Sequence, residues 1–300
     1  MITAADIAGV LDRVREKRPR VHAIMNGVAQ KLVADGLSII GAIPSMTANM
    51  EEIADFAAKA DALLINLGTL EGERREVIRT ALSSMGGAIA YEVTPTPAPS
   101  PQGGGERGRI PAEGQIPAET AMPASPSPLW GGDRGGGNTS SESRRRQRPA
   151  VLDPVFCDVS RPRLAFAREL LGHGITTVRG NKSEMEAIGA TEGIVRIETG
   201  PVDTIRFDNR IIRLANGHPW LALVSGTGCL SGALIAAFQA VEPDGLLAAT
   251  AAITTLSIAA EIAAEKAAGP GSFAPALLDA LHAIDERTIS ERLRISNEQD

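Results

Sequence analysis

Glycines, hydroxyl residues and one cysteine crowd residues 224–232, which read VSGTGCLSG. The preceding LALV is typical of a strand, and the apolar residues from Cys229 to Val241 predict a helix. Glycines let a backbone approach a ligand closely, and the free N–H groups at a helix start attract anions. The segment therefore predicts an anion site suited to a phosphate. It matches neither a Walker A loop nor a dinucleotide fingerprint, so a tight turn with glycines for packing is an equal alternative.

A second polar group follows two predicted strands. Arg179 ends one of them and suits forked contacts to phosphate, and Glu184 could face the water shell of a magnesium ion. Asp153 ends the other strand and would supply a second carboxylate. Each has a plainer interpretation: Asn181 and Glu184 have the spacing of a capping box, and Asp153 before a proline is typical of a turn.

These residues need a scaffold, and the apolar pattern predicts one. Strand-like and helix-like segments alternate, which favours a layered α/β fold with a largely parallel sheet. Ligands of such sheets bind at the carboxyl ends of strands, where the residues above fall. Strands are predicted at 21–24, 62–66, 150–152 and 175–178, with two or three more in 193–214. Helices are predicted at 4–16, 29–40, 47–59, 71–84, 162–171, from 182, 229–241, 246–267 and from 273.

Residues 93–148 differ from the rest in being rich in proline and glycine and lacking any apolar period. We expect a disordered insertion there, because too few apolar residues are present to offset the entropy of ordering it. Its basic run, 144–148, is expected to be solvated linker. Residues 1–92 and 149–300 would then form one domain.

Composition excludes several kinds of protein and of binding partner. The 300 residues carry a net charge of −6, which argues against nucleic acid as the main partner. Two cysteines cannot build a disulfide framework, and none of the four histidines lies in a motif that would pair with a cysteine nucleophile. Residues 245–260 are apolar but shorter than the roughly 20 a membrane span needs. We expect a buried helix there and a cytoplasmic protein without a membrane partner.

Seven segments, in order, resemble the hydroxyethylthiazole kinases, a family of the ribokinase-like superfamily. They are VHAIMN (21–26), VADGLSIIGAIPSM (33–46), ALLINLGTL (62–70), VLDPV (151–155), VRGNKSE (178–184), SGTGC (225–229) and GPGSF (269–273). The resemblance implies a three-layer ribokinase-like fold with a largely parallel central sheet. It also implies ATP- and Mg²⁺-dependent phosphorylation of the hydroxyl of 4-methyl-5-(2-hydroxyethyl)thiazole in thiamin salvage.

The same resemblance assigns site residues and an assembly. The implied roles are substrate binding by Asn26, Met46 and Gly226, ATP binding by Arg179 and Thr199, metal binding by Asp153 and Glu184, and catalysis by Cys229. Most ribokinase relatives carry an aspartate where thiazole kinases carry this cysteine, which favours the thiazole over pyrimidine or sugar substrates. The resemblance also implies a homotrimer with substrate sites at subunit interfaces.

Cys229 is expected beside the substrate hydroxyl. A helix start can lower a thiol pKa and so help the thiol to take a proton. Because a neutral thiol is a weaker base than a carboxylate, a slow enzyme is expected.

The chain departs from the family at three places. They are the insertion at 93–148, the sequence Phe156-Cys157-Asp158 in place of a glycine-rich turn, and the segment between Ala190 and Ile194, which lacks a helix. Losing that helix would expose one sheet face near the nucleotide site. Two alternatives stay open: a degenerate, non-catalytic binding protein, and a kinase for another small alcohol such as hydroxymethylpyrimidine. The presence of the acidic pair, the arginine and the cysteine together favours an active kinase.

Overall fold

The computed structural model describes residues 1–86 and 148–299, which belong to one compact unit. The predicted insertion lies outside the described residues except for Arg148. The guanidinium of Arg148 donates hydrogen bonds to several backbone carbonyls, including those of Ala57, Ala60 and Ser84. Arg148 is therefore anchored in the folded unit, and the expectation of solvated linker is wrong for this residue.

One sheet runs through the described residues. Its strands are β1 (Arg20–Ile24), β2 (Ile43–Ser45), β3 (Ala62–Asn66), β4 (Ala150–Asp153), β5 (Thr177–Asn181), β6 (Val195–Thr199), β7 (Asp203–Phe207), β8 (Arg210–Leu214) and β9 (Ile295–Gln299). Their spatial order is β2-β1-β3-β4-β5-β6-β7-β8-β9. The six strands from β2 to β6 in this order pair in parallel, and the last three are antiparallel.

Helices cover both faces of the sheet and bury two apolar cores. The first face carries α1 (Ala4–Lys17), α2 (Gln30–Ile39), α8 (Thr227–Val241), α9 (Gly245–Lys266), α10 (Pro270–Ala283) and α11 (Glu286–Arg292). The second carries α3 (Ile53–Lys59), α4 (Arg74–Ser84), α5 (Arg161–Leu171) and α6 (Lys182–Ile188). A short helix, α7 (Trp220–Leu223), precedes α8. The predicted three-layer α/β fold with a largely parallel sheet is confirmed.

The apolar helix α9 lies in the first core. Within the described ranges it is the one helix long and apolar enough to cross a membrane, and 83% of its most apolar window is buried in the protein. The prediction of a buried helix is confirmed, since α8, α10 and the sheet surround it.

Several element predictions were wrong. The LALV run is not a strand: it lies in and just after α7, which follows Pro219, and Leu223 is exposed. Residues 43–45 form a strand that the sequence analysis does not predict. Pro44 is tolerated there because β2 lies at the sheet edge. The predicted strand 175–178 begins at Thr177 and extends to Asn181.

Two further elements differ from the prediction. The helix expected from Thr47 begins at Ile53, because the Thr47 and Asn49 side chains accept hydrogen bonds from nearby backbone N–H groups and favour turns. β9 was not predicted because its polar sequence, ISNEQ, carries no apolar alternation, and it joins the sheet by pairing with β8.

The short crossover from β5 to β6 consists of α6 and six connecting residues. On the sheet face turned from the first core, β6 and β7 carry Arg196, Glu198 and Thr204. Arg196 donates to the carbonyls of Met185 and Gly189 at the end of α6. The sequence predicts that this sheet face is exposed because a helix is missing there. The structure shows that polar side chains occupy it.

Candidate functional site

The predicted site residues meet at the carboxyl ends of neighbouring strands. Asn26 follows β1, Asp153 ends β4, and Arg179 lies in β5. Asn66 ends β3 and pairs in register with Asp153. Parallel strands end at one edge of a sheet, which is why residues distant in sequence converge here.

The start of α8 faces this edge. Gly226 precedes the helix with φ 94°, and a Cβ at this position would lie 3.1 Å from the Cβ of Ala29. Glycine is required there for both reasons. It supplies no side-chain cap to the N–H groups of the first turn. Such uncapped groups form an anion site when the helix is long enough, and α8 has 15 residues.

Arg179 lies beside this helix start. A Cβ on Gly228 would lie 3.2 Å from its Nη1, so the glycine makes room for the guanidinium. Nη1 is 3.7 Å from Oδ1 of Asp153. Within residues 1–86 and 148–299, neither Nε of Arg179 nor Oδ1 of Asp153 has a hydrogen-bond partner, and both atoms are buried. A cation and a carboxylate with unused bonding capacity therefore stand next to an anion site.

Burial dominates the electrostatics of Asp153, which is 1% exposed. It raises the pKa of Asp153 to about 6 against the opposing effect of Arg179, and the nearby charge of Glu184 raises it further. Removing a carboxylate from water disfavours its charged form. A cation at Oδ1 would reverse this effect.

Glu184 forms the capping box that its spacing with Asn181 predicts. Oε2 accepts from the backbone N–H of Asn181 at 2.9 Å, and the Asn181 side chain accepts from the N–H of Glu184 at 3.0 Å. Oε1 accepts from the N–H of Phe156 at 2.8 Å. The carboxylate is 5% exposed, and each oxygen retains one further acceptor position.

Phe156 stands where the family has a glycine-rich turn. Its φ is 58°, in the left-handed region, and its side chain is 60% exposed. Such a conformation costs a non-glycine residue about 1 kcal/mol or more. The residues after Asp153 thus form a turn that holds a non-glycine residue in the left-handed region.

The thiol of Cys229 lies in the first turn of α8 but is not activated there. Burial, and then the charge of Asp153, raise its pKa to about 11. The expectation that the helix start lowers the pKa is wrong, because desolvation outweighs the helix and the nearby Arg179.

The three remaining predicted residues have these contacts. Thr199, at the end of β6, donates from Oγ1 to the carbonyl of Gly180 at 3.2 Å. Met46 follows β2 and packs against the first core. Asn26 accepts from the N–H of Ala29 and donates from Nδ2 toward the Cys229 sulfur at 3.5 Å.

Sequence reasoning missed two buried polar residues. Asn66 is fully buried and donates to Oδ2 of Asp153 at 2.7 Å. Its signal was available, since it is the one polar residue of the strand ALLIN. Asp203 is 9% exposed, and burial raises its pKa to about 6 against the opposing charge of Arg179. Nothing in the local sequence distinguishes it from an ordinary turn residue.

Asp153 and Glu184 are the two carboxylates of the predicted metal site. Among the described residues, no group of three or more histidine, cysteine, aspartate or glutamate side chains is placed to hold an ion. Mg²⁺ takes one or two carboxylates and completes its shell with waters and phosphate oxygens. Asp153 and Glu184, with the free Oδ1 of Asp153, fit that pattern.

Comparisons with known proteins agree with one another. The model of the hydroxyethylthiazole kinase family matches residues 11–89 and 187–287. A probable hydroxyethylthiazole kinase from Agrobacterium fabrum is 44% identical over 99% of this chain and 97% of its own length. A hydroxyethylthiazole kinase from Granulibacter bethesdensis is 32% identical over 95% of this chain and 92% of its own length.

Solved structures show the same likeness. The hydroxyethylthiazole kinase structure from Pyrococcus horikoshii matches with a TM-score of 0.75 and 29% identity, covering 98% of this chain and 99% of that one. A ribokinase-like superfamily protein from Enterococcus faecalis shares the fold at a TM-score of 0.54 and 11% identity, covering 93% of this chain and 94% of that one. The ribokinase-like fold predicted from the sequence is confirmed.

Proposed function

The chain belongs to the hydroxyethylthiazole kinase family, and we propose that its site transfers the terminal phosphoryl group of ATP to the hydroxyl of 4-methyl-5-(2-hydroxyethyl)thiazole. The observation that carries this proposal is the convergence of Arg179, Asp153 and the start of α8 at one edge of the sheet. Phosphoryl transfer depends on positioning and charge neutralisation more than on covalent chemistry by the protein. These three features supply both.

ATP is proposed to bind across the α8 start and β5. The uncapped N–H groups after Gly226 would receive phosphate oxygens, and the guanidinium of Arg179 would offset their charge. Thr199 ends the strand next to β5 and would contact the nucleotide from that side.

Asp153 and Glu184 are proposed to hold Mg²⁺, with Asp153 contributing Oδ1. The ion would supply charge neutralisation between the phosphates. Glu184 would act through the acceptor positions that the backbone N–H groups leave free, which suits a contact to the water shell.

Asn26, Met46 and Gly226 are proposed to bind the thiazole alcohol, with its hydroxyl beside Cys229. A thiol with pKa about 11 is neutral near pH 7, so Cys229 would orient the hydroxyl by hydrogen bonding. This orienting role replaces the expected role of Cys229 as the group that takes the proton. A slow enzyme is still expected.

We also propose a homotrimer with substrate sites at the interfaces, working in the cytoplasm. Val28 is 81% exposed and Leu223 is 67% exposed, and both lie on segments that flank the α8 start. Exposed apolar side chains beside a site favour burial against another subunit. Residues 93–148 are proposed to be an insertion in the domain that residues 1–92 and 149–300 form.

The named relatives favour this substrate over the alternatives. Two relatives that each cover more than nine-tenths of this chain are named for hydroxyethylthiazole, which favours it over hydroxymethylpyrimidine. A degenerate binding protein would not need a free buried oxygen on Asp153 facing Arg179.

The test is thiazole-dependent ADP release from Mg-ATP by the purified full chain. We expect turnover that Arg179→Ala reduces by about a hundredfold or more. Arg210→Ala, which removes an arginine paired with Asp244 on the surface, is the matched control and should retain wild-type turnover. Absence of thiazole-dependent turnover in the folded wild type would overturn the proposal.

A further inference from the structure

Asn66 is a buried carboxamide at the centre of the site, and none of the roles above uses it. Its exposure is 0%. Oδ1 accepts from the backbone N–H of Gly68 at 3.0 Å and from Nδ2 of Asn26 at 3.2 Å. Nδ2 lies 2.7 Å from Oδ2 of Asp153 and 3.3 Å from Sγ of Cys229. Each side of the amide therefore has two partners.

Backbone groups fix the direction of these bonds. The N–H of Gly68 can only donate, so the atom facing it is Oδ1, and Nδ2 must face Asp153 and Cys229. The N–H of Ala29 fixes Asn26 in the same way, with its Nδ2 turned toward the sulfur. Two carboxamides thus donate to one sulfur, and the S–H proton of Cys229 is directed to neither.

The bond to Asp153 also selects between its two carboxylate oxygens. Oδ2 accepts from Asn66, while Oδ1 is buried without a hydrogen-bond partner among the described residues and lies 3.7 Å from Nη1 of Arg179. Rotation of the carboxylate would break the bond to Asn66. The amide therefore holds one oxygen free at the side of the arginine.

We propose that Asn66 is a positioning residue, which holds the Asp153 carboxylate and the Cys229 sulfur in one fixed arrangement for phosphoryl transfer. This inference rests on the proposed function, because it places the metal at Asp153 and the substrate hydroxyl at Cys229. Asn66 donates hydrogen bonds to both side chains and acts through them. Its loss should therefore affect kcat more than the binding of either substrate.

Two substitutions test the inference. Asn66→Asp keeps the size and the acceptor oxygen and replaces the two N–H donors by a carboxyl group that can share at most one proton with Asp153, and Asn66→Ala removes both donated hydrogen bonds without adding charge. We expect kcat to fall by about a hundredfold in both, as for a misplacement of about 1 Å, with the KM of thiazole alcohol and of Mg-ATP changed less than about threefold. Agreement between the two variants assigns the loss to the donated bonds.

Gln239→Ala is the control for burial of an amide. Gln239 is 9% exposed and donates from Nε2 to Oγ1 of Thr177 at 2.6 Å, at the opposite ends of α8 and β5 from the site. We expect it to lower the unfolding temperature as the Asn66 variants do while keeping kcat within twofold of wild type.

Three results would overturn the inference. They are a kcat within threefold of wild type in folded Asn66→Asp, an equal loss of kcat in Gln239→Ala, and a loss that lies mainly in KM. If Asn66→Ala does not fold, Asn66→Asp decides, because it keeps the bonds from Gly68 and Asn26. A wild-type chain without thiazole-dependent turnover would instead overturn the proposed function, so the two failures are distinguishable.

Discussion

The guanidinium of Arg179 packs tightly against the first turn of α8 at Gly228, with Nη1 3.2 Å from the position that a Cβ on this glycine would take. Gly228 lies in the first turn of α8 and is not among the positive-φ glycines of the described residues. Its requirement is therefore for space and not for backbone conformation. The glycine and the arginine form one unit at the proposed phosphate site.

The Gly228→Ala variant should affect ATP binding and the stability of α8 in different ways. Alanine in a helix is favoured over glycine by up to about 1 kcal/mol, so the variant should unfold at the same or a higher temperature. The added methyl group would lie 3.2 Å from Nη1 and push the guanidinium away from the helix start, so we expect the KM for Mg-ATP to rise by up to about tenfold. Steady-state kinetics and thermal unfolding measure the two effects.

Gly9→Ala is the control for this substitution. Gly9 lies in α1 and a Cβ there would meet only the end of Arg13, at 3.6 Å. It should gain stability with no change in kinetics. An unchanged KM for Mg-ATP in Gly228→Ala would show that Arg179 does not need this position.

The thiol of Cys229 gives a second prediction. With a pKa of about 11, it stays protonated from pH 6 to pH 9 and contributes no ionisation to the rate there. We expect Cys229→Ser to keep kcat within about tenfold of wild type, with a pH–rate profile of the same shape over that range. A rate limb between pH 7 and 9 that disappears in Cys229→Ser would restore the thiol to the role of base.

The sequence predicted those parts of the site that are local in the chain. The capping box of Asn181 and Glu184, the glycines before α8 and the buried strand 62–66 follow from spacing within a few residues. The pKa of Cys229 did not follow, because it depends on burial and on Asp153 from another strand. Asp203 was missed for the same reason, since only the fold brings its charge near Arg179.

Secondary structure shows the same division. Apolar period predicted β3, α8 and α9 to within about two residues, because their neighbours bury them on all sides. It failed at β2 and β9, which lie at the two edges of the sheet and are held by backbone pairing with little apolar burial. Edge pairing leaves no periodic signal in the sequence.

His22 supports the loop that carries Met46. It is fully buried, with Nε2 3.0 Å from the carbonyl of Thr47 and Nδ1 2.8 Å from Oγ of Ser45. The carbonyl can only accept, so Nε2 carries the proton and Nδ1 accepts from the serine. The neutral ring therefore satisfies both neighbours of Met46.

We expect His22→Ala to raise the KM for the thiazole alcohol by about tenfold, with kcat changed less, because Met46 is proposed to contact that substrate.

Burial lowers the pKa of His22, so its contribution to stability is present above pH 6.5 and is lost as the pH falls below it. Denaturant unfolding between pH 5 and 8 measures that loss, which His22→Ala should remove. Equal KM values for the thiazole alcohol in the wild type and in His22→Ala would show that the loop with Met46 keeps its position without the histidine.

Asp203 predicts the opposite pH dependence. Burial raises its pKa from 3.8 to about 6, so the folded protein binds this proton more tightly than the unfolded chain does. Its ionisation should therefore lower stability as the pH rises from about 4 to about 6, by about 3 kcal/mol in total. Asn at this position keeps the oxygen that accepts from Gly200 and cannot ionise. We expect Asp203→Asn to match the wild-type free energy of unfolding at pH 4 and to exceed it above pH 6, measured in urea at each pH. A difference that stays constant from pH 4 to 7 would mean that Asp203 ionises at its ordinary pKa in the folded protein.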